Sequence, residues 1–328
     1  MQKTKIALLA VYEILKKYTD DEHILSRVEI CDLLDKIYQI NIERRTFTDY
    51  IDTLIEFKID ISKYSDNGIG YYLIDREFEK SEVTLLCNAI YSSHFIPEKD
   101  SINLIKKLLS TQSRYVEKEF NNNVYVKNYQ KTVNKEFFLN VEVLLDAIHC
   151  DRIVTFDYMK YDINKKLIPR KDYLYKIHPY YIIYANENYY LICRNDHYDE
   201  FSHYRIDRMK HIKICDERRS KLVKSFDPYA YAKSKIYMYG GKEDQVILKC
   251  SNRILNDIID RFGLDTKIQK CDEESFYAVV LTSLQGITYF ALQFIKYCEV
   301  LEPKSLRNEI SEILTSSPYL NKDIKKPR

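Results

Sequence analysis

Between Arg152 and Cys215 the sequence strings together five short runs of β-branched and aromatic residues, and this pattern constrains the fold more than any other feature. The runs are RIVTFDY, LYKIHPYYIIYA, NYYLICRN, FSHYRI and HIKIC, separated by turn residues such as Asn186-Glu187-Asn188. Side chains of these types fit a pleated, half-buried surface, and the breaks supply chain reversals. Five such strands within about 70 residues predict a small barrel of the SH3 or Sm-like kind, placed at residues 151–223.

Upstream the apolar period changes from strand to helix. From Ile6, the positions Leu8, Val11, Tyr12 and Leu15 predict a first helix ending near Tyr18. A second helix starts at Ser26, which forms a capping box with Glu29, and Val28, Cys31, Leu34 and Ile37 are its expected buried stripe. A third, IERRTFTDYIDTLIEF, turns Phe47, Ile51, Leu54 and Ile55 to the core and Arg44, Arg45, Thr48, Asp49 and Asp52 outward. IDISKY and GYYLI then read as two strands, and the Asn-Gly within Ser65-Asp66-Asn67-Gly68 favours a tight hairpin turn.

Three helices followed by a hairpin predict a winged helix-turn-helix over residues 1–76. In such a module the first turn of the third helix enters the major groove of double-stranded DNA, where Arg bonds guanine edges or phosphates. The expected contacts are Arg44, Arg45, Thr46 and Thr48, with Lys63 and Tyr64 of the wing on the adjacent backbone. Residues 1–76 hold eleven Lys/Arg against fourteen Asp/Glu, a net charge of −3. One copy should therefore bind DNA weakly, because backbone contacts supply most of the affinity. The alternative is that Arg44 and Arg45 solvate a helix face of a protein-interaction domain.

Residues 77–150 read as a helical linker. Ser81 is the expected N-cap of a helix with Val83, Leu86, Ala89 and Ile90 on one stripe, followed by helices in SINLIKKLLS and EFFLNVEVLLDAI. The stretch NNNVYVKNYQKTVN between the last two reads as a loop. Residues 240–320 run strand QVILKC, helix SNRILNDIIDRFG capped by Ser251 and stopped by Gly263, hairpin LDTKIQKC and SFYAVVLTSL, helix ITYFALQFIKY and strand CEVLEP. Ile287, Phe290, Ala291, Phe294 and Ile295 share one face of that last helix, and another helix follows Pro303. This β-α-β-β-α-β order predicts a ferredoxin-like module. A chain of 328 residues exceeds one hydrophobic core, and the whole reads as an α+β multidomain protein.

Composition narrows the function by exclusion. No stretch of about 18 apolar residues occurs, so no membrane association and a cytoplasmic location are expected. The eight cysteines stand singly without a C-x-x-C pair, which predicts buried, reduced thiols and no metal site. No G-x-G-x-x-G, Walker loop or nucleophile elbow is present, so neither a cofactor nor an enzyme activity is expected. The overall net charge of +2 does not announce a nucleic-acid binder, yet residues 150–223 hold fifteen Lys/Arg against eleven Asp/Glu.

In this region Tyr189-Tyr190-Leu191, preceded by His178-Pro179 and followed by Arg205-Ile206-Asp207-Arg208-Met209, resembles the WYL domain of bacterial and phage regulators. Tyr158 in TFDY matches the tyrosine that ends the family's first strand. Tyr189 replaces the eponymous tryptophan, which removes an indole donor. The resemblance extends to Arg45-Thr46, Asp49 and GYYLI of the winged helix, with Thr48 where the family usually has arginine. It extends also from Gln245 to Leu320, similar to the family's WCX-type C-terminal extension.

The resemblance implies a barrel that senses a nucleic-acid fragment or nucleotide effector through Tyr158, His178, Arg205 and Arg208, with Arg194 as a weaker candidate. Two arginines three residues apart can fork onto one phosphodiester while a tyrosine supplies a stacking face. The same arginines could instead form a structural salt bridge with Asp207 or Asp157, and His178 could simply cap a strand. The family likeness further implies a homodimer formed through the C-terminal extension, where Arg307 is either a partner contact or an ordinary salt bridge. The implied function is a DNA-binding transcriptional regulator of an operator. The alternative is an accessory single-stranded nucleic-acid-binding protein that modulates a phage-defence effector.

Overall fold

The computed structural model describes residues 2–123, 131–196, 198–222 and 226–320. The chain divides into two compact units, Met1–Val133 and Asn134–Arg328. It is a mixed α+β structure, helical at first and then built on antiparallel sheets.

In the first unit α1 (Gln2–Tyr18), α2 (Arg27–Tyr38) and α3 (Arg44–Glu56) enclose a core that includes Val11, Ile14, Leu15, Ile30, Leu34, Phe47 and Ile51. Ser26 caps α2 as its sequence dictates: its hydroxyl accepts the Glu29 N–H at 3.3 Å, and the Glu29 carboxylate accepts the Ser26 N–H at 2.7 Å. The stripe of α2 differs from expectation. Ile30 and Leu34 are buried, whereas Val28 and Ile37 are exposed. Both phases satisfy helical spacing, and packing against α1 and α3 selects the one through Ile30.

The two strands that follow, β1 (Ile61–Ser62) and β2 (Tyr72–Leu73), pair antiparallel, and Leu25 bridges to Tyr71. Their connection is not the expected tight Asn-Gly turn. A single helical turn, α4 (Tyr64–Asn67), ends at Gly68 with φ 70°. The Asn67 carboxamide explains the change: its oxygen accepts the Ile69 and Gly70 N–H groups at 2.7 and 2.9 Å, and its nitrogen donates to Ser62 Oγ at 2.8 Å. A Cβ at residue 70 would lie 2.2 Å from the Leu25 carbonyl oxygen, so this close approach requires glycine.

Helices α5 (Lys80–Ser92), α6 (Glu98–Leu109) and α7 (Arg114–Asn123) complete this unit around Val83, Cys87, Ile105, Leu109 and Phe120. Glu79 rather than Ser81 is the N-cap of α5, because the Glu82 carboxylate reaches back to the Glu79 N–H at 2.9 Å. Leu86 and Ala89 are exposed, and Cys87 takes the core position. The Arg76 guanidinium fastens these helices to α1 by donating to the carbonyls of Lys16, Thr19 and Thr111 at 2.9, 2.6 and 3.3 Å. Of the asparagine-rich stretch, residues 124–130 lie outside the described residues.

The second unit opens with α8 (Phe137–His149) and continues through β3 (Arg152–Tyr161), β4 (Leu167–Pro169), β5 (Tyr175–Ala185), β6 (Asn188–Asn195), β7 (Tyr198–Arg205) and β8 (Met209–Arg218). The antiparallel path is β8-β3-β5-β6-β7, with β4 added to β3. Asn186 and Glu187 take positive φ values of 46° and 61°, which closes β5 and β6 with a two-residue turn. A 3₁₀ turn, Ile206–Arg208, joins β7 to β8. Along β5 and β6, Tyr180 and Tyr190 are buried, whereas Tyr184 is exposed and Tyr181 is half-buried.

After α9 (Pro228–Ser234) come β9 (Glu243–Ser251), α10 (Leu255–Phe262), β10 (Lys267–Lys270), β11 (Ser275–Ser283), α11 (Leu284–Gln293), β12 (Cys298–Glu302) and α12 (Lys304–Thr315). The strands form one antiparallel sheet in the order β10-β11-β9-β12. Ile287, Phe290 and Ala291 are buried as expected, but α11 ends at Gln293 and leaves Ile295 exposed. The Arg307 guanidinium stays within the chain, 2.6 Å from Glu299 and 2.8 Å from the Val300 carbonyl. All eight cysteines are free, and the expectation that they are buried holds for Cys87, Cys193, Cys250 and Cys298 alone. Among the described residues no helix is long and apolar enough to cross a membrane.

Candidate functional site

The turn between β7 and β8 brings three charged groups together. Arg205 donates through Nε and Nη2 to the two carboxylate oxygens of Asp207, at 2.9 and 2.8 Å. Arg208 Nε lies 3.7 Å from the same carboxylate, and its guanidinium sits 4.5 Å from the centroid of the Tyr161 ring. Asp207 is therefore the structural partner of Arg205, whereas Asp157 pairs with His211 at 2.9 Å. One carboxylate cannot neutralise two guanidiniums, so the turn keeps a surplus positive charge. Burial opposes the charge on Arg205, but its bond to Asp207 and that residue's charge outweigh this and raise its pKa.

The turn is held from behind. Asn134 Nδ2 donates to the carbonyls of Asp207 and Met209 at 3.0 and 2.7 Å, and Asn140 Nδ2 donates to Met209 at 2.7 Å. The Tyr158 hydroxyl accepts the Arg205 N–H at 3.2 Å, and burial pushes its pKa up, which keeps the phenol neutral. The two asparagines were not anticipated as part of this site. Their signal in the sequence is an amide at position 140 on the same helical stripe as Phe137, Leu144 and Ala147, all of them buried.

Tyr158 also belongs to an aromatic cluster. Its ring lies 5.0 Å from that of Tyr204, which lies 5.4 Å from Tyr175, and Phe156 stacks on Tyr175 at 5.4 Å. Lys171 Nζ stands 4.9 and 5.6 Å from the ring centroids of Tyr173 and Tyr175. Lys171 thus borders the aromatic cluster through Tyr175, and Arg205 borders it through Tyr158, an arrangement suited to an anion that carries a flat ring.

The remaining candidates of this β module lie apart from this turn. His178 is buried, its Nδ1 accepts the Ser220 N–H at 2.9 Å and its Nε2 meets Asp196 at 2.8 Å. Both ring nitrogens are thereby engaged in holding strand ends. Arg194 stands opposite His178 in the β5–β6 register, with its guanidinium 4.7 Å from the centroid of the Phe201 ring and its Nε buried without a hydrogen-bond partner. Arg205 is opposite Tyr190, further along β6, so the structure groups Tyr158, Arg205 and Arg208 but neither His178 nor Arg194 with them.

In the first unit Arg44, Arg45 and Thr48 are exposed on the first turns of α3, and Thr46 is half-buried. Neither arginine forms an ion pair among the described residues. The Thr48 hydroxyl donates to the Arg44 carbonyl at 3.2 Å. Lys63 Nζ is 3.5 Å from Asp52 Oδ1, so its charge is partly answered within the chain, and Tyr64 is exposed. Among the described residues no group of three or more His, Cys, Asp or Glu could hold a metal ion.

Together these features define an α+β protein with an antiparallel β module that carries an arginine- and tyrosine-rich patch. Residues 140–214 match the WYL domain family, so this stretch of the chain carries a WYL domain. No curated protein matches the chain. Among solved structures it is similar to the proteasome accessory factor B/C of Arthrobacter aurescens, with 13% identity and a TM-score of 0.30 over 97% of this chain and 49% of that one. The chain thus spans about half the length of that protein. It is also similar to a CRISPR Cas-related protein, with 13% identity and a TM-score of 0.37 over 95% of this chain and 90% of the other.

Proposed function

We propose that this chain is a homodimeric DNA-binding transcriptional regulator whose WYL domain senses a nucleic-acid or nucleotide ligand. In this reading α1 to α3 with β1 and β2 form a winged helix-turn-helix, and the path β8-β3-β5-β6-β7 is an SH3 or Sm-like barrel. The sheet order β10-β11-β9-β12 with its two crossing helices is ferredoxin-like and serves dimerisation. The chemistry is recognition, not catalysis. The observation that carries the reading is the turn at Arg205, Asp207 and Arg208 beside Tyr158, where a surplus cation borders stacking faces.

Ligand binding can alter operator affinity only by favouring one dimer geometry over another. The test is a titration of the full-length protein with short single-stranded oligonucleotides and with nucleotides, followed by duplex binding in their presence. Arg208→Ala should weaken oligonucleotide or nucleotide binding roughly tenfold or more, since a bond to a charged group contributes about 1.5–3 kcal/mol. Duplex affinity that ignores every oligonucleotide and nucleotide tested would sink the sensor model.

A second reading is an accessory single-stranded nucleic-acid-binding protein without an operator, one that modulates a phage-defence effector. It is favoured by the net charge of −3 over residues 1–76 and by the engagement of Lys63 with Asp52. It prevails if Arg44→Ala with Arg45→Ala leaves duplex binding intact while Arg205→Ala removes single-strand binding.

A further inference from the structure

Cys250 on β9 and Cys298 on β12 stand directly opposite each other, with their sulfurs 3.9 Å apart. The Ser251 N–H donates to the Tyr297 carbonyl at 2.8 Å, so the ladder bond falls one residue beyond the cysteines. They are thus the non-hydrogen-bonded pair, the kind whose Cα atoms approach to about 4.5 Å. Disulfides span Cα separations of about 4.4–6.8 Å, so the backbone is already within range and mainly the side chains must turn. Both side chains are buried, yet both line a cavity of about 1040 Å³ bounded by the β10–β11 turn, the end of α11 and α12.

We propose that Cys250 and Cys298 are an oxidation-sensitive dithiol that closes to a cross-strand disulfide when a small uncharged hydroperoxide reaches them through this cavity. One sulfur attacks a peroxide oxygen, the O–O bond breaks, and a sulfenic acid and one water form from hydrogen peroxide. The second sulfur then displaces hydroxide from the sulfenic sulfur, which makes the S–S bond, and the released thiol proton completes a second water. The two thiols lose two electrons and two protons in total, and the peroxide takes up both.

The cavity selects the oxidant. Its lining holds the carboxylates of Asp272, Glu273, Glu274 and Glu299 beside the cations Lys249, Lys296 and Arg307, so it offers no net attraction to an anionic disulfide such as oxidised glutathione. The contact with Cys250, and then burial, push the Cys298 thiol far above its ordinary range, so at rest this thiol is protonated and attacks slowly. Once one sulfur is oxidised, a partner at 3.9 Å favours closure over further oxidation. Because β12 pairs with β9 alone among the described residues, the new bond would pin an edge strand.

The full-length protein is titrated with hydrogen peroxide, remaining thiols are capped with N-ethylmaleimide, and the cross-linked peptides are mapped by mass spectrometry. The expected result is loss of two thiols per chain to one Cys250–Cys298 linkage, reversed by dithiothreitol. Cys250→Ser and Cys298→Ser should each lose it and stay folded by circular dichroism. If a variant does not fold, the wild-type map alone decides. The proposal is overturned if both cysteines remain capped by N-ethylmaleimide at doses that fully oxidise the exposed Cys150. It is equally overturned if they are recovered as sulfinic or sulfonic acids, or linked to other cysteines.

Discussion

Asp207 receives both hydrogen bonds of the Arg205 guanidinium while Arg208 stands 3.7 Å from the same carboxylate. The Asp207 side chain is 4% exposed and that of Arg205 is 31% exposed. Removal of the carboxylate leaves two cations facing each other on a turn that Asn134 and Asn140 hold in place. Breaking a fully buried pair costs about 3–5 kcal/mol, and the exposure of Arg205 reduces this to about 2–3 kcal/mol for Asp207→Ala. Urea unfolding measures it. A loss below about 0.5 kcal/mol would mean that the pair does not stabilise the turn.

The exposed edge of α3 makes a different prediction, with no cost to stability. Arg44 and Arg45 have no ion pair among the described residues, so Arg44→Ala with Arg45→Ala should leave the melting temperature unchanged. Duplex binding by the full-length protein should fall by tens of fold or more, with the salt dependence shallower by about two charges. An unchanged salt slope would remove these residues from the DNA interface.

His178 separates a structural role from a binding one. Its two ring nitrogens hold Ser220 and Asp196, and the ring is buried. Substitution by Ala leaves the Ser220 N–H without a partner, which costs about 1–3 kcal/mol. Oligonucleotide affinity measured below the unfolding transition should stay within twofold of wild type. A selective loss of affinity with unaltered stability would return His178 to the ligand patch.

Local chemistry made most elements legible before any coordinates. The capping box of Ser26 and Glu29, the turn at Asn186 and Glu187, and the β-α-β-β-α-β order each depend on neighbours in sequence. What failed depends on side-chain contacts that residue periodicity does not encode. The burial of Ile30 rather than Val28 is decided by α1 and α3, and the turn before Gly68 by Asn67 reaching Ser62. In the candidate site the arginines are legible through the resemblance of Arg205-Ile206-Asp207-Arg208 to the family pattern. The supporting asparagines are not, since their targets lie 66–75 residues away along the chain.

The half-buried His203 predicts how the β module responds to acid. Its Nδ1 meets the Tyr231 hydroxyl at 3.1 Å and its Nε2 the Met238 carbonyl, and burial lowers its pKa below the ordinary 6.5 despite that carbonyl. In the unfolded chain the ring takes up its proton near pH 6.5, whereas in the folded chain it does so only at lower pH. Between these two values the unfolded state binds more protons, so stability rises with pH across the window. The contribution is complete above pH 6.5 and is lost as pH falls through the folded value. Urea unfolding at a series of pH values below 6.5 should therefore show a decline that His203→Gln reduces. Equal slopes in the two proteins would show that His203 titrates alike in both states.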